Sequence, residues 1–263
     1  DHPSTGTASD VLPIRVVVMD DDNGQVETTR NQTVKNVAPL LQGLTLSETR
    51  IKEGEPITLT GTIVDPGTKD TFTLIIDWGD GKAAQRIPVG PYETGSGDFS
   101  VEHTYEDDHP ETDTPFDLLK IKVRVEDDDT GAYDGNELTL RVDNVAPVFD
   151  ALTLSSNDIV EGDTVTLEGS YVDPGKDDYK LEVDWGDGSD LEIIEFSYEI
   201  THFSIDHIYA DDEADGEDDL YTVTVKLIDD DTGEATDDLQ IHVGNAAPEI
   251  TASFDEVAIE EGD

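Results

Sequence analysis

The five-residue sequence DWGDG occurs twice, at residues 77–81 and 184–188, and contains the chain's only two tryptophans. Two carboxylates this close could act as the acid and base of a hydrolase, or as ligands of a metal ion. Hydrolysis also needs a cleft and opposed carboxylates, which a turn directly after a strand does not provide by itself. Asp oxygens can instead accept backbone N–H groups while Gly adopts positive φ. We therefore expect a structural turn, with a metal loop as the alternative, at Asp77, Asp80, Asp184 and Asp187.

A histidine stands at a matching point of each half of the chain, His103 and His207. Neither has a second His or a Cys at metal-ligand spacing, so we expect structural histidines rather than zinc ligands. The sequence shows no Ser-His-Asp order, no Gly-rich phosphate loop and no EF-hand. The nearest approach, DDDNG at 20–24, has Asn31 where an EF-hand needs a bidentate Glu. The sequence therefore predicts no catalytic residue.

Charge dominates the composition. The 263 residues include 64 Asp and Glu against 15 Lys and Arg, a formal net charge of −49, and no cysteine. Such a chain repels nucleic acid and anionic lipid, and no apolar run is long enough for a membrane span. The absence of an initiator Met and of a signal peptide suggests a piece of a longer protein. Bound cations would offset the self-repulsion, and a solvated surface adapted to high salt is the alternative.

The chain is an internal repeat. Its linker prolines, Pro39, Pro147 and Pro248, stand 108 and 101 residues apart, which suits tandem globular domains. Three sets of matching segments define the repeat: VVVMDDDNG (16–24), VRVEDDDTG (123–131) and VKLIDDDTG (225–233); NVAP (36–39), NVAP (144–147) and NAAP (245–248); IKEGEPITLTGTIVDPG (51–67) and IVEGDTVTLEGSYVDPG (159–175). We expect full domains at 40–146 and 148–247, with the C-terminal part of a preceding repeat at 1–38 and the start of a following one at 248–263.

The apolar period within each repeat is two. In LKIKVRVE (119–126) every second residue is apolar, as in a half-buried strand, and no segment has a sustained helical stripe. The fold class predicted is all-β, an antiparallel β-sandwich of seven strands per domain. In the first full domain we expect strands at 41–52, 56–64, 71–77, 84–89, 99–105, 118–126 and 136–143. DDDTG then forms the last hairpin turn, with its Gly at positive φ.

These segments resemble a known family. DWGDG, followed by HTY (103–105) or HIY (207–209) and then by YTVTVKLIDDDTG (221–233), is similar to the PKD (polycystic kidney disease) domain. The resemblance covers both full domains, with Trp78 and Trp185 standing where that family has Phe. It implies tandem immunoglobulin-like sandwiches on a secreted or cell-surface protein. Acidic loops at 106–117 and 210–219 replace the family's short turn.

The strand order sorts the acidic residues to the two ends of each sandwich. Acids from one domain's exit end, its linker and the next domain's entry end should therefore meet at a junction. Like charges so close are costly without a counter-ion, and carboxylate and amide oxygens suit Ca²⁺ better than Mg²⁺. Ca²⁺ inside single domains, or no specific metal, is the alternative. The candidate ligands are Glu53, Glu55, Asp65, Asp70, Asp127, Asp129, Asp143, Asn144, Glu161, Asp173, Asp177, Asp178, Asp229 and Asp231.

The function expected from these patterns is a non-catalytic structural or adhesive spacer, in which Ca²⁺ at the junctions stiffens the tandem array. Its partners would be neighbouring repeats of the same chain, with a cell-surface protein or a glycan as further candidates. One alternative is a carbohydrate-binding accessory module of a secreted hydrolase, which needs exposed aromatics such as Tyr92, Phe196, Tyr198 and Phe203. The other alternative is a halophilic acidic spacer without specific Ca²⁺.

Overall fold

A computed structural model describes residues 6–107, 114–210, 219–247 and 250. The described residues are all β, and none of them form a helix that is long and apolar enough to cross a membrane. Most of the two long acidic loops and nearly all of 248–263 lie outside the described residues. The chain divides into two compact units: the first comprises Asp1–Ala146, Asp173–Asp177 and Asp230–Gly233, and the second Pro147–Val172, Asp178–Asp229 and Glu234–Asp263.

The first unit contains eleven strands among its described residues. They are β1 (Ser9–Met19), β2 (Gln25–Lys35), β3 (Leu40–Leu46), β4 (Arg50–Lys52), β5 (Pro56–Val64), β6 (Phe72–Asp77), β7 (Gln85–Val89), β8 (Ser96–Thr104), β9 (Phe116–Asp127), β10 (Ala132–Asp134) and β11 (Leu138–Asp143). β1 and β2 form a separate hairpin. The sandwich consists of a three-stranded sheet, β3-β5-β8, and a larger sheet, β4-β11-β9-β6-β7, with β10 paired to β9.

Alternation along the strands builds the core between these two sheets. On β9 the side chains of Leu119, Ile121, Val123 and Val125 are buried, and the residues between them face away from the core. β5 and β6 alternate in the same way. Because apolar residues at every second position fill one face of a sheet, the period seen in the sequence is sufficient to specify the sandwich.

The second unit repeats this arrangement. Its strands are β12 (Val148–Leu154), β13 (Asp158–Val160), β14 (Thr164–Val172), β15 (Tyr179–Asp184), β16 (Glu192–Phe196), β17 (His202–Ile208), β18 (Asp219–Asp229) and β19 (Glu234–Gly244). They form the sheets β12-β14-β17 and β13-β19-β18-β15-β16. The tandem immunoglobulin-like β-sandwich predicted from the sequence is therefore the fold of the chain.

Two local expectations were wrong. The first strand is not continuous over 41–52: β3 pairs with β5 in one sheet, and β4 then pairs in parallel with β11 in the other. A segment that crosses from one sheet to the other keeps the same alternation of apolar residues in both sheets. The alternation therefore does not show where the segment changes sheet. In the DDDTG turns the residue at positive φ is not Gly but Thr130 and Thr232, with φ of 75° and 72°.

Candidate cation-binding loops

The DWGDG segment is a tight turn whose acids bind the backbone. Asp77 Oδ1 accepts a hydrogen bond from Gly79 N at 3.1 Å, and Asp80 Oδ1 accepts one from Lys82 N at 3.2 Å. Gly79 has φ of 78°, and a Cβ there would lie 2.8 Å from the carbonyl oxygen of Lys120. Both carboxylates and the first glycine therefore stabilise the turn itself.

His103 ties this turn to the sandwich. Its ring stacks on Trp78 at 4.5 Å between centroids, and its Nε2 lies 3.1 Å from Asp80 Oδ2. Tyr105 completes the group by donating its hydroxyl to the carbonyl oxygen of Trp78 at 2.9 Å. Burial lowers the pKa of His103 and thereby favours the neutral ring. The charge of Asp80 acts in the opposite direction, but its effect is smaller.

The second unit contains the same group. His207 stacks on Trp185 at 4.4 Å, and its Nε2 lies 2.8 Å from Asp187 Oδ2. Tyr209 donates its hydroxyl to the carbonyl oxygen of Trp185 at 3.0 Å. Asp184 Oδ1 accepts the N–H of Gly186, as Asp77 does for Gly79. The repeated motif thus makes the same contacts in both units. In each unit its carboxylates accept hydrogen bonds that stabilise the turn.

A first acidic cluster lies where the loop between β5 and β6 meets the turn after β9. We define it as Asp65, Asp70, Asp127, Asp128 and Asp129. Hydrogen bonds hold the two loops together: Asp128 N donates to Thr71 O, and Thr71 N donates to Asp128 Oδ1, both at 3.1 Å. Carboxylate oxygens of Asp70, Asp128 and Asp129 lie within 4.8 Å of one another, a spacing that could hold a metal ion.

Burial makes this cluster different from a solvated acidic surface. Asp129 is 0% exposed, Asp65 3% and Asp70 5%. Asp65 Oδ1 accepts the N–H of Gly67 at 2.6 Å, but its Oδ2, like Asp129 Oδ2, is buried without a hydrogen-bond partner. A buried charged oxygen without a partner carries a large desolvation cost, so each of these oxygens requires a ligand or a proton.

The electrostatics of the cluster agree with its geometry. Burial raises the pKa of Asp65, and the charge of Asp127 raises it further. Burial also raises the pKa of Asp70, and the charges of Asp65, Asp128 and Asp129 add to that increase. The carboxylates therefore destabilise one another's charged forms, which a bound cation would reverse.

Asn36, in the first NVAP segment, contacts this cluster. Its Nδ2 donates to Asp127 Oδ2 at 2.8 Å and to the carbonyl oxygen of Asp129 at 3.4 Å. Thr7 N donates to Asp129 Oδ1 at 3.3 Å. The linker that precedes β3 is thus connected directly to the acidic turn after β9, inside the first unit.

A second acidic cluster also belongs to the first unit, because 173–177 and 230–233 are part of it. It contains two groups that could hold a metal, Glu53 with Asp173 and Asp177, and Asp107 with Asp177 and Asp231. Asp177 is 1% exposed and is common to both groups. Glu53 is also 1% exposed, and its Oε1 accepts the N–H of Val145 at 2.6 Å.

The second NVAP segment contacts this cluster much as the first contacts its own. Asn144 Nδ2 donates to the carbonyl oxygen of Asp231 at 3.3 Å, the counterpart of the bond from Asn36 to Asp129. Lys176 N also donates to the carbonyl oxygen of Glu106 at 2.8 Å. The repeat therefore places a linker asparagine on each of the two acidic turns.

The remaining candidate ligands belong to none of the groups of described residues that could hold a metal. Asp143 is held by Arg141 and Arg50, with Arg141 Nε donating to its Oδ1 at 2.7 Å. Glu55 accepts the N–H of Lys52 and is exposed. Asp178 is exposed, and Asp229, at the end of β18, is 4% exposed. Glu161 Oε1 accepts the N–H of Ala246 at 3.1 Å within the second unit, which matches the contact from Val145 to Glu53.

The sequence did not single out three members of the clusters, Asn36, Asp107 and Asp128. Asn36 could have been found, because it occupies the same NVAP position as Asn144. Asp128 is the exposed middle residue of an acidic triplet, in the turn after β9, and its contacts with Thr71 depend on the loop between β5 and β6. Asp107 lies in a loop with several other acidic residues, and the sequence does not distinguish it from them. Only its position near Asp177 and Asp231 in the fold does so.

The chain matches no known family profile and no curated protein sequence. Solved structures do resemble it. One is a tetra-tandem repeat from the extending region of a large adhesion protein, at 14% identity and a TM-score of 0.51, covering 91% of this chain and 58% of that one. A second match is to the fibronectin(III)-like modules of Clostridium thermocellum CbhA, at 15% identity and a TM-score of 0.30, covering 81% of this chain and 100% of that one. A third is to a two-domain fibronectin type III segment of chicken tenascin, at 13% identity and a TM-score of 0.32, covering 78% of this chain and 98% of that one. At these identities the adhesion repeat supports the fold alone, a tandem array of immunoglobulin-like sandwiches.

Proposed function

We propose that this chain is a non-catalytic, calcium-binding spacer of a secreted or cell-surface adhesive protein, built from PKD-type domains. The observation that carries the proposal is the first acidic cluster, in which buried oxygens of Asp65 and Asp129 have no hydrogen-bond partner. Ca²⁺ binds 6–8 oxygens, and this cluster offers five carboxylates on two loops that hydrogen bonds already hold together.

The proposed effect of Ca²⁺ is mechanical. Asn36 joins the linker to the acidic turn, so an ion that fixes Asp127, Asp128 and Asp129 would also fix the segment before β3. The second acidic cluster, with its linker residue Asn144, would act in the same way. Removing Ca²⁺ would leave the repulsion within the first cluster unscreened and loosen the linker that Asn36 holds, which is why we assign the ions a stiffening role.

The two alternatives have less support. Glycan binding needs exposed aromatics, but Tyr92 stacks on Phe72, and Phe196 and Phe203 pack against the second core. Of the four candidates only Tyr198 is exposed, at 44%. A halophilic spacer without specific Ca²⁺ would place its acids in solvent, which the burial of Asp65, Asp70 and Asp129 opposes.

Calorimetric titration of the whole chain with Ca²⁺ tests the proposal. Asp65→Asn keeps the Oδ1 that accepts from Gly67 but replaces the buried Oδ2, and we expect it to remove one class of binding site. Asp22→Asn is the control, since it removes the same charge from an exposed position in the DDDNG turn. Absence of Ca²⁺ binding to the wild-type chain, or equal loss in both variants, would contradict the proposal.

A further inference from the structure

The cations of this acidic chain are concentrated on one surface. β9 carries Lys120, Lys122 and Arg124 at alternating positions, all on the side of the sheet that faces away from the core. We call this side of the sheet β4-β11-β9-β6-β7 the outer face. Four further cations lie on it, from the flanking strands: Arg50 and Lys52 on β4, Arg141 on β11 and Arg86 on β7. Seven of the chain's 15 Lys and Arg residues thus share one face of one sheet.

The fold does not require this concentration, because the second unit does without it. The positions that match Lys120, Lys122 and Arg124 are Thr222, Thr224 and Lys226 on β18. On the flanking strands the matching residues are Asp158, Val160, Ile193 and His242. A sheet with the same order of these five strands therefore forms with one Lys at the seven matching positions, so this fold does not depend on the cations of the first unit.

The outer face is a mosaic of charge rather than a purely basic patch. Lys120 pairs with Glu137 at 3.2 Å, Arg124 with Asp134 at 3.0 Å, and Arg86 with Glu126 at 3.0 Å. Such pairs restrain the long side chains that they involve, which would lower the entropy lost on binding. On the same face Leu118 is 60% exposed, beside Arg141 on the neighbouring strand.

We propose that the outer face is a contact surface for a second copy of this chain. Two molecules of charge −49 repel each other, and contact is least unfavourable where each presents a nearly neutral surface. Alternating cations and carboxylates around an exposed leucine are also what a two-fold, self-complementary contact needs. A nucleic acid or another polyanion fits less well, because the acidic members of the mosaic would repel it.

The size of the face indicates a weak contact. The five strands have 3, 6, 12, 6 and 5 residues, and at about 3.3 Å per residue and about 4.8 Å between strands they cover roughly 500 Å². A stable interface buries about 800 Å² on each partner, so we expect association that depends strongly on concentration. Molecules held side by side at high density would make such contacts many times over, and avidity would then compensate for the low affinity.

Sedimentation velocity of the whole chain over a wide concentration range tests this proposal. We expect the weight-average mass to rise towards that of a dimer, and Leu118→Asp to weaken dimerisation at least about tenfold. Leu220→Asp is the matched control, because Leu220 occupies the same repeat position in the second unit and is 63% exposed. It should leave the association unchanged, and the melting temperatures of both variants establish that the fold is intact.

A second variant tests the charges. Lys122→Glu should also weaken the dimer, whereas Thr224→Glu, at the matching position of the second unit, should not. Three results would overturn the proposal: a monomer at every concentration, equal effects of the Leu118 and Leu220 variants, or binding to a heparin column that Lys122→Glu abolishes in a chain that does not self-associate. None of these measurements depends on Ca²⁺ binding, so the proposal stands or fails separately from the spacer function.

Discussion

Replacing Asp129 by Asn should have opposite effects on stability with and without Ca²⁺. The substitution keeps the oxygen that accepts from Thr7 N and removes one negative charge from a fully buried position. Without metal it relieves repulsion, so the free energy of unfolding should rise. With Ca²⁺ it removes a ligand, so the additional stabilisation by the ion should be largely lost.

The magnitudes follow from the distances. Two unit charges 4.8 Å apart, the separation within which the oxygens of Asp129, Asp70 and Asp128 lie, repel by about 3.5 kcal/mol at an effective dielectric constant of 20. Counter-ions and proton uptake reduce this figure, and we expect a gain of about 1 kcal/mol in a chelator. At tenfold excess over its dissociation constant Ca²⁺ would add about 1.4 kcal/mol per site, a rise of about 5–10 °C in melting temperature for a domain of this size.

Thermal unfolding followed by circular dichroism, with the wild type and Asp129→Asn each in EDTA and in millimolar Ca²⁺, measures both effects. Asp22→Asn, which removes the same charge from an exposed turn, should change stability little under either condition. If Asp129→Asn lowered the melting temperature in EDTA, the carboxylates would not be repelling one another. If Ca²⁺ stabilised the variant as much as the wild type, Asp129 would not be a ligand.

Three further predictions concern the turns and the titration of the clusters. Thr130→Asn should raise the free energy of unfolding by about 0.5–1 kcal/mol in urea titrations, since a β-branched residue is disfavoured at φ of 75° and Asn23 already occupies the matching position at 67°. Tyr105→Phe should lower it by about 1–2 kcal/mol, and Tyr209→Phe by a similar amount, because each leaves a buried tryptophan carbonyl without its donor. In EDTA the melting temperature should fall as the pH rises from the ordinary Asp range, near 4, through the raised pKa values of Asp65 and Asp70, since the folded state binds more protons than the unfolded state in that interval. Millimolar Ca²⁺ should weaken or reverse that trend, and an unchanged trend would indicate that no cation competes with the protons.

Much of the fold could be predicted from the sequence because its signals are local. Alternating apolar residues on β9 and β18 specify which face is buried, and the repeated DWGDG and DDDTG segments specify the turns. The exceptions depend on tertiary contacts. The division of the first strand into β3 and β4 follows from pairing with two different sheets, and neither pairing leaves a mark in the periodicity.

The candidate sites were less predictable, since their members come from segments far apart in the chain. Strand order was enough to bring Asp65 and Asp70 towards Asp127 and Asp129. It could not show that Arg50 and Arg141 hold Asp143, because that contact depends on the pairing of β4 with β11. Nor could it distinguish Asp107 from its acidic neighbours.

The three copies of the acidic triplet show what turns such a sequence into a candidate site. At 20–22 all three aspartates are exposed, although the turn has the same sequence pattern. At 127–129 the last aspartate is fully buried, because the loop that carries Asp65 and Asp70 packs over it. At 229–231 the last aspartate is again buried, at 3% exposure, and is grouped with Asp177. The chemistry therefore resides in the pairing of two loops and not in the triplet. A peptide containing DDDTG alone should bind Ca²⁺ no better than one containing DDDNG, whereas the folded chain should distinguish the two turns.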